Sequence, residues 1–251
     1  MPFTVKDNSR STASHTMRTI AIDTSHTAGS VVARDGTALA TRPLGESGEH
    51  ARRIAAALEE AAAEAGWGLS DTQLVVVVRG PGSFTGLRVG IAAAKGIAWA
   101  NVSRLVGVCG FEAIAQETAL AADRLAGTAP TTIEIAFDAG RAEVYAATAT
   151  PTAGQGPWQI SPPRLLAADA WIADLPPGAH VSGPALATLQ DRVAAAGHTI
   201  APPEAWFPNA TAAAEIGLAR AAAGAFDDPF TLVPHYLRPS YADERVTLPA
   251  R

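Results

Sequence analysis

Residues 75–100 read VVVVRGPGSFTGLRVGIAAAKGIAWA. Val75 to Val78 are β-branched and uninterrupted, the pattern of a strand buried on both faces. Gly80, Pro81 and Gly82 break that run. Ser83 then stands where it can cap a helix, accepting a bond from a backbone N–H two or three residues on. The spacing predicts a helix over 84–100. The free amides at such a helix start form a small positive pole that could hold an anion.

The helix has an unusual composition. Arg88 and Lys95 are its only charges. Gly86, Gly90 and Ala94 recur every four residues, and so do Ala92, Gly96 and Ala100. Glycine costs about 1 kcal/mol against alanine inside a helix, so several in one helix require a packing reason, namely the close approach of a neighbour. A helix apolar nearly all round is covered on more than one side. One cover is its own sheet; the other is another helix of this chain or a second protein.

The chain has 251 residues, 48% of them hydrophobic, enough for one large domain or two small ones. With 19 basic and 24 acidic residues the net charge is −5, which argues against binding nucleic acid by bulk electrostatics alone. Cys109 is the single cysteine. That excludes a disulfide framework and a thiolate metal cluster, and Cys109 reads as a small buried apolar residue. No run of about 18 apolar residues is present to span a membrane. Met1 to Thr16 is polar and lacks the apolar core of a secretory signal. It reads as a disordered leader, with Met17 as the functional start and a cytoplasmic location as the expectation.

Outward from the central unit, Arg18 to Asp23, Gly29 to Arg34 and Thr37 to Leu44 read as a three-strand meander, with Asp35-Gly36 as a hairpin signal. Residues 49–65 place Ala51, Ile54, Ala55, Leu58, Ala61, Ala62 and Ala65 at helical spacing, and Gly66 and Gly68 end that helix. Leu105 to Val108 is another buried strand and Phe111 to Leu125 another helix. A second block opens near Gly127. It has strands at 132–137 and 142–150 around Asp138-Ala139-Gly140-Arg141, a loop over 152–163, and a short helix at 167–173. A strand at 179–182 and helices at 184–196 and 211–223 follow. An extended, proline-rich tail covers 229–241.

Four features invite a chemical reading. Asp23-Thr24-Ser25 follows the first strand, where an Asp beside hydroxyls could position a metal-bound phosphate or simply cap a turn. The Arg79–Gly86 loop matches neither a P-loop nor G-x-G-x-x-G, and reads as a turn with a helix cap or as an anion contact. His50 could face the Asp23 loop or serve only as a polar residue at a helix start. No H-x-x-x-H or H-E-x-x-H occurs. Ser83 has no evident His and Asp partners to activate it as a nucleophile.

Taken in order, AIDTS at 21–25, Glu49-His50, RGPGSFTGLRVG at 79–90, DAGRAEVY at 138–145 and HYLRPSYADE at 235–244 closely resemble the bacterial TsaB (YeaZ) family of tRNA threonylcarbamoyladenosine biosynthesis proteins. The resemblance implies an α/β, acetate-kinase/Hsp70/actin-like (ribonuclease H-like) fold of two similar lobes. The expected division is a leader at 1–16, an N-terminal lobe at 17–108 and a C-terminal lobe with tail at 109–251. It also implies a non-catalytic part in placing threonylcarbamoyl on adenosine 37 of ANN-decoding tRNAs. The partners implied are a metal-bearing, TsaD-like homologue, a TsaE-like ATPase and a second copy of the chain, with tRNA contacted indirectly and no membrane. Carried over, the partner-binding helices are 49–65 and 84–100, with Ala51, Ile54, Ala55, Leu58, Ala62, Leu87, Gly90, Ala94 and Ile97 at the interface. Asp23, Thr24, Ser25, His50, Gly82, Ser83 and Arg88 are the candidates for nucleotide or anion contact. The resemblance implies no metal and no cofactor of the chain's own, with ATP or ADP as the nucleotide to be considered in the complex. Gly140 stands where the family commonly has arginine, so an anion contact from that hairpin would fall to Arg141.

Two rival functions belong to other classes: a small-molecule kinase or ATPase of the same fold, with Asp23 placing the metal and the amides at Ser83 holding phosphate, and a metallopeptidase, which the missing ligand set disfavours.

Overall fold

Two halves of the chain build two sheets on the same plan. The protein is described by a computed structural model covering residues 17–46, 48–152 and 158–237. The expected leader and the tail beyond Leu237 lie outside the described residues.

In the first half, β1 (Thr19–Asp23), β2 (Ser30–Asp35) and β3 (Ala38–Pro43) form an antiparallel meander. After α1 (His50–Glu64), β4 (Leu74–Val78) adds parallel to β1. After α2 (Phe84–Asn101), β5 (Arg104–Val108) adds parallel to β4, and α3 (Gly110–Ala126) follows. The order is β3-β2-β1-β4-β5.

The second half repeats this. The strands β6 (Ile133–Gly140) and β7 (Glu143–Thr150) form a hairpin, and β8 (Gln159–Ile160) and β9 (Arg164–Ala167) both pair with β7. After α4 (Ala168–Asp174), β10 (His180–Ser182) lies parallel to β6; after α5 (Leu186–Ala195), β11 (Thr199–Ile200) lies parallel to β10, and α6 (Ala210–Ala222) ends the series. Read from the β8 edge, the sheet runs β8-β7-β6-β10-β11, the first sheet's order, with β9 as a sixth strand that also pairs with β7. The short β8, β9 and β11 have no signature in the sequence, because strands of two to four residues carry too few alternations to register.

Both faces of the first sheet are covered, which is why its central strands are apolar without alternation. On one face Ile20, Ile22, Val75 and Val77 pack with Ile54 and Leu58 of α1 and Ile91 and Ala94 of α2. On the other, Ala21, Val32, Val76 and Val78 meet Ala210, Ala213, Ala214 and Ile216 of α6. Each fully buried valine of β4 contributes about 1.5–3 kcal/mol. Conversely, Phe111, Ile114 and Ala115 of α3 pack on Ile133, Ile135 and Phe137 of β6. The helix that closes each half therefore lies on the other half's sheet. Residues 210–222, which follow the second lobe in sequence, belong by packing to the first.

After α6 the chain runs back along the β5 edge. The Asp227 carboxylate accepts from the Gly107 N–H at 2.8 Å, Leu232 is buried in the first core, and the His235 N–H donates to the Arg79 carbonyl at 2.7 Å. The described part of the tail is thus held at several points along the α2 side of the first lobe.

Candidate functional site

Two places gather the residues singled out in the sequence: the junction of the Asp23–Ser25 and Gly80–Gly86 turns, and the outer flank of α2.

At the junction the two turns are in direct backbone contact. The Ser83 N–H donates to the Ser25 carbonyl at 2.7 Å, and Thr24 donates from Oγ1 to the Gly86 carbonyl at 2.7 Å. Ser83 caps α2 by accepting from the Gly86 N–H at 3.3 Å. A Cβ on Gly82 would collide with the Ser25 carbonyl, and one on Gly86 with the Thr24 carbonyl. Glycine is required here because backbone meets backbone. The amide at Ser83 that could have held an anion is already spent on Ser25.

Asp23, Thr24 and Ser25 are fully buried. Asp23 accepts from the Ser25 N–H through Oδ1 at 2.8 Å, and its Oδ2 has no partner. Burial outweighs the bonds from Ser25 and the nearby His50, and pushes the Asp23 carboxyl up to about 6. His50 is buried at the start of α1, where Nε2 lies 3.3 Å from the Gly45 carbonyl and 3.4 Å from that of Thr27. Arg88 is exposed; its Nε donates to the Tyr236 hydroxyl at 3.1 Å, and its guanidinium lies 3.8 Å over the Phe84 ring. The seven expected nucleotide or anion contacts thus do not converge on an open site. Four are buried, and the space between the two turns is filled by the Ser25 and Thr24 carbonyls.

Sequence reasoning passed over His26. Its Nδ1 lies 3.0 Å from Ser25 Oγ, and its ring sits between Phe137 and Phe207, each 5.6 Å away. Desolvation holds the imidazole down to about 4, so it is neutral at pH 7. No sequence signal points to it, because both covering rings come from more than 100 positions away. At the other hairpin, Asp138 turns its carboxylate onto the Gly140 N–H at 2.7 Å, Arg141 is exposed, and Tyr145 packs against the Phe111 cluster.

On α1 and α2 the nine expected interface residues divide. Ala51 and Ala55 are exposed and Ile97 is half-buried. Ile54, Leu58, Ala62, Leu87, Gly90 and Ala94 are buried in the chain's own core. For these six the expectation is corrected. The Gly86–Gly90–Ala94 row faces β1 and Thr24, so its small residues serve close packing on the chain's own sheet. The other four-residue row, Ala92, Gly96 and Ala100, faces outward, and a Cβ on Gly96 would meet nothing within 4 Å. Of ten large apolar side chains exposed among the described residues, Phe84, Trp99 and Val102 belong to α2 and its cap, and Phe226, Phe230, Val233 and Tyr236 to the tail beside it. Phe84 stacks on Tyr236 at the start of α2, and Trp99, Val102 and Phe230 come together at its end.

Among the described residues no three His, Cys, Asp or Glu side chains gather as metal ligands would, and no helix is long and apolar enough to cross a membrane.

The duplicated sheet plan with helices on both faces defines the acetate-kinase/Hsp70/actin-like, ribonuclease H-like class, with two similar lobes. Comparison with known proteins narrows this. Residues 41–157 match the family described as TsaD: tRNA N6-adenosine threonylcarbamoyltransferase. The chain is 38% identical over 130 residues to the tRNA threonylcarbamoyladenosine biosynthesis protein TsaB of Escherichia coli K12, covering 51% of this chain and 53% of that one. It is 32% identical over 100 residues to the Bacillus subtilis protein of the same name, covering 39% and 44%. The alignments span about half the length of these curated relatives. YeaZ from Pseudomonas aeruginosa shares the fold with a TM-score of 0.71 at 22% identity, over 88% of this chain and 100% of that one. The chain is thus similar to the TsaB proteins over about half of its length and shares its fold with YeaZ.

Proposed function

We propose that this protein is a non-catalytic subunit that supports threonylcarbamoyl transfer to adenosine 37 of ANN-decoding tRNAs. It does so by pairing with a metal-bearing, TsaD-like homologue across the outward faces of α1 and α2. The observation that carries this reading is the outer row Ala92–Gly96–Ala100, small and uncharged on an apolar helix, with Ala51 and Ala55 outward on the neighbouring α1. Small side chains let a partner helix approach closely, so dispersion contacts accumulate over the shared face. A second copy of the chain presents the same face and can occupy it when the homologue is absent. A small TsaE-like ATPase would join the assembled pair.

The test is co-purification with the TsaD-like homologue, read beside threonylcarbamoyladenosine formation in a mixture of both proteins, the ATPase, tRNA and threonylcarbamoyl-AMP. Gly96→Arg and Ala92→Glu abolish pairing and tRNA modification while leaving the isolated chain folded. Retained pairing in both variants places the interface elsewhere.

A second reading, a kinase or ATPase, is favoured only by the unpartnered Oδ2 of Asp23. ATP turnover by the isolated chain that disappears in Asp23→Ala would replace the first reading with this one.

A further inference from the structure

At the C-terminal end of α2 the flank opens into a groove of about 920 Å³, which Lys95, Gly96, Trp99, Val102, Arg104 and Phe230 help to line. Trp99 is 81% exposed, Val102 92% and Phe230 88%. We propose that this groove docks an acidic, apolar-tipped segment of a partner protein. The groove shares Gly96 with the pairing face proposed above and extends past it, between the end of α2 and the tail, so the inference is tested on the isolated chain.

Two observations point to a ligand surface. The first is conformational. Val102 caps α2 at φ 54°, in the left-handed region. A β-branched residue is a genuine outlier there, and glycine is the ordinary occupant. The strain brings the chain no buried contact, because the side chain stands almost wholly in water. Strained residues of this kind cluster at binding sites, where an apolar display can offset their cost.

The second is electrostatic, and it selects the occupant. Lys95 and Arg104 flank the apolar floor, and no described residue lining the groove is acidic. Neither cation makes an ion pair among the described residues; Arg104 only lies 5.1 Å over the Phe226 ring. The nearby carboxylates are turned away, Asp227 onto the Gly107 N–H and Asp228 onto the Phe230 N–H. The side chains of residues 1–16 number two cations against one carboxylate, and those of residues 238–251 three against two, so neither terminal segment is acidic as a whole. A foreign segment with Leu or Phe side chains set among Glu or Asp satisfies both the floor and the rim.

Trp99 supplies the readout, because Trp67, Trp158, Trp171 and Trp206 are all buried. The probe is a 14-residue amphipathic peptide with Leu at every third or fourth position and Glu between, compared with the same peptide carrying Lys for each Glu. The acidic peptide protects Trp99 from acrylamide quenching saturably, and the basic one does not. Lys95→Glu with Arg104→Glu weakens the acidic peptide about ten-fold, as expected for two exposed ion pairs, and reverses the preference. Val102→Gly weakens binding while raising the melting temperature, which separates a lost contact from lost folding. Four results overturn the proposal: equal protection by both peptides, protection by neither, protection that grows with protein concentration alone, or protection that disappears on removing residues 1–16 or 238–251.

Discussion

Thr24 donates from Oγ1 to the Gly86 carbonyl at 2.7 Å, and the same oxygen stands where a Cβ on Gly90 would fall. One threonine thus accounts for two glycines a helical turn apart, and Gly96, on the opposite side of α2, has no such neighbour. The same substitution at the two positions therefore has opposite signs. Gly90→Ala forces Thr24 off its bond and destabilises the protein by about 1–3 kcal/mol, the usual cost of overpacking. Gly96→Ala stabilises it by about 1 kcal/mol through helix propensity. Urea unfolding of the two variants measures both, and equal signs would refute the assignment of inner and outer rows.

Asp23 sets a pH dependence. Its folded carboxyl is raised from 3.8 to about 6 by burial, so the folded protein holds that proton more tightly than the unfolded chain. This contribution to stability is fully present below about pH 4 and is lost as pH rises to about 6, a loss of about 3 kcal/mol at 1.36 kcal/mol per pH unit. Asp23→Asn removes the loss. The variant gains about 2–3 kcal/mol over the parent at pH 7 and little at pH 4, measured by chemical denaturation at both.

His26 has the opposite slope. Its imidazole is held from 6.5 down to about 4, so its contribution is complete above about pH 6.5 and is lost as pH falls toward 4. In the parent the two slopes partly cancel between pH 4 and 6. Asp23→Asn exposes the histidine slope, and stability of that variant falls as pH drops through this window. A flat profile would show that His26 is not desolvated between Phe137 and Phe207.

Arg220 of α6 donates to the Gly107 carbonyl at 2.7 Å and to Glu112 of α3 at 2.6 Å. Glu112 is buried, its other oxygen accepts from the Cys109 N–H at 3.0 Å, and burial pushes its carboxyl up against the pull of Arg220. Arg220→Ala strands that carboxyl and costs about 2–3 kcal/mol at neutral pH, somewhat under the range for a fully buried pair because Arg220 is partly exposed. Without its cation Glu112 binds its proton more tightly still. The penalty therefore grows as pH rises from 5 to 8, which unfolding at the two pH values detects.

Short-range pattern made the central unit legible. Val75 to Val78 read as a buried strand, Ser83 as a cap and 84–100 as a helix, and each depends on residues within a few positions of one another. The same holds for the β1–β3 meander and for α1, α3 and α6. The brief strands β8, β9 and β11 were not legible, because pairing to β7 and β10 defines them more than their own sequence does.

What the sequence determined by itself was the order of strands and helices, the glycine and alanine rows on α2, and the motifs that join the chain to its relatives. All follow from local periodicity and residue chemistry. Only the tertiary structure decided which glycine row faces inward, that α3 and α6 cross to the other lobe's sheet, and that the Asp23 turn is closed by the backbone of the Gly80–Gly86 turn. Those outcomes depend on contacts between residues tens to hundreds of positions apart, where burial and steric fit choose between faces that look alike in sequence.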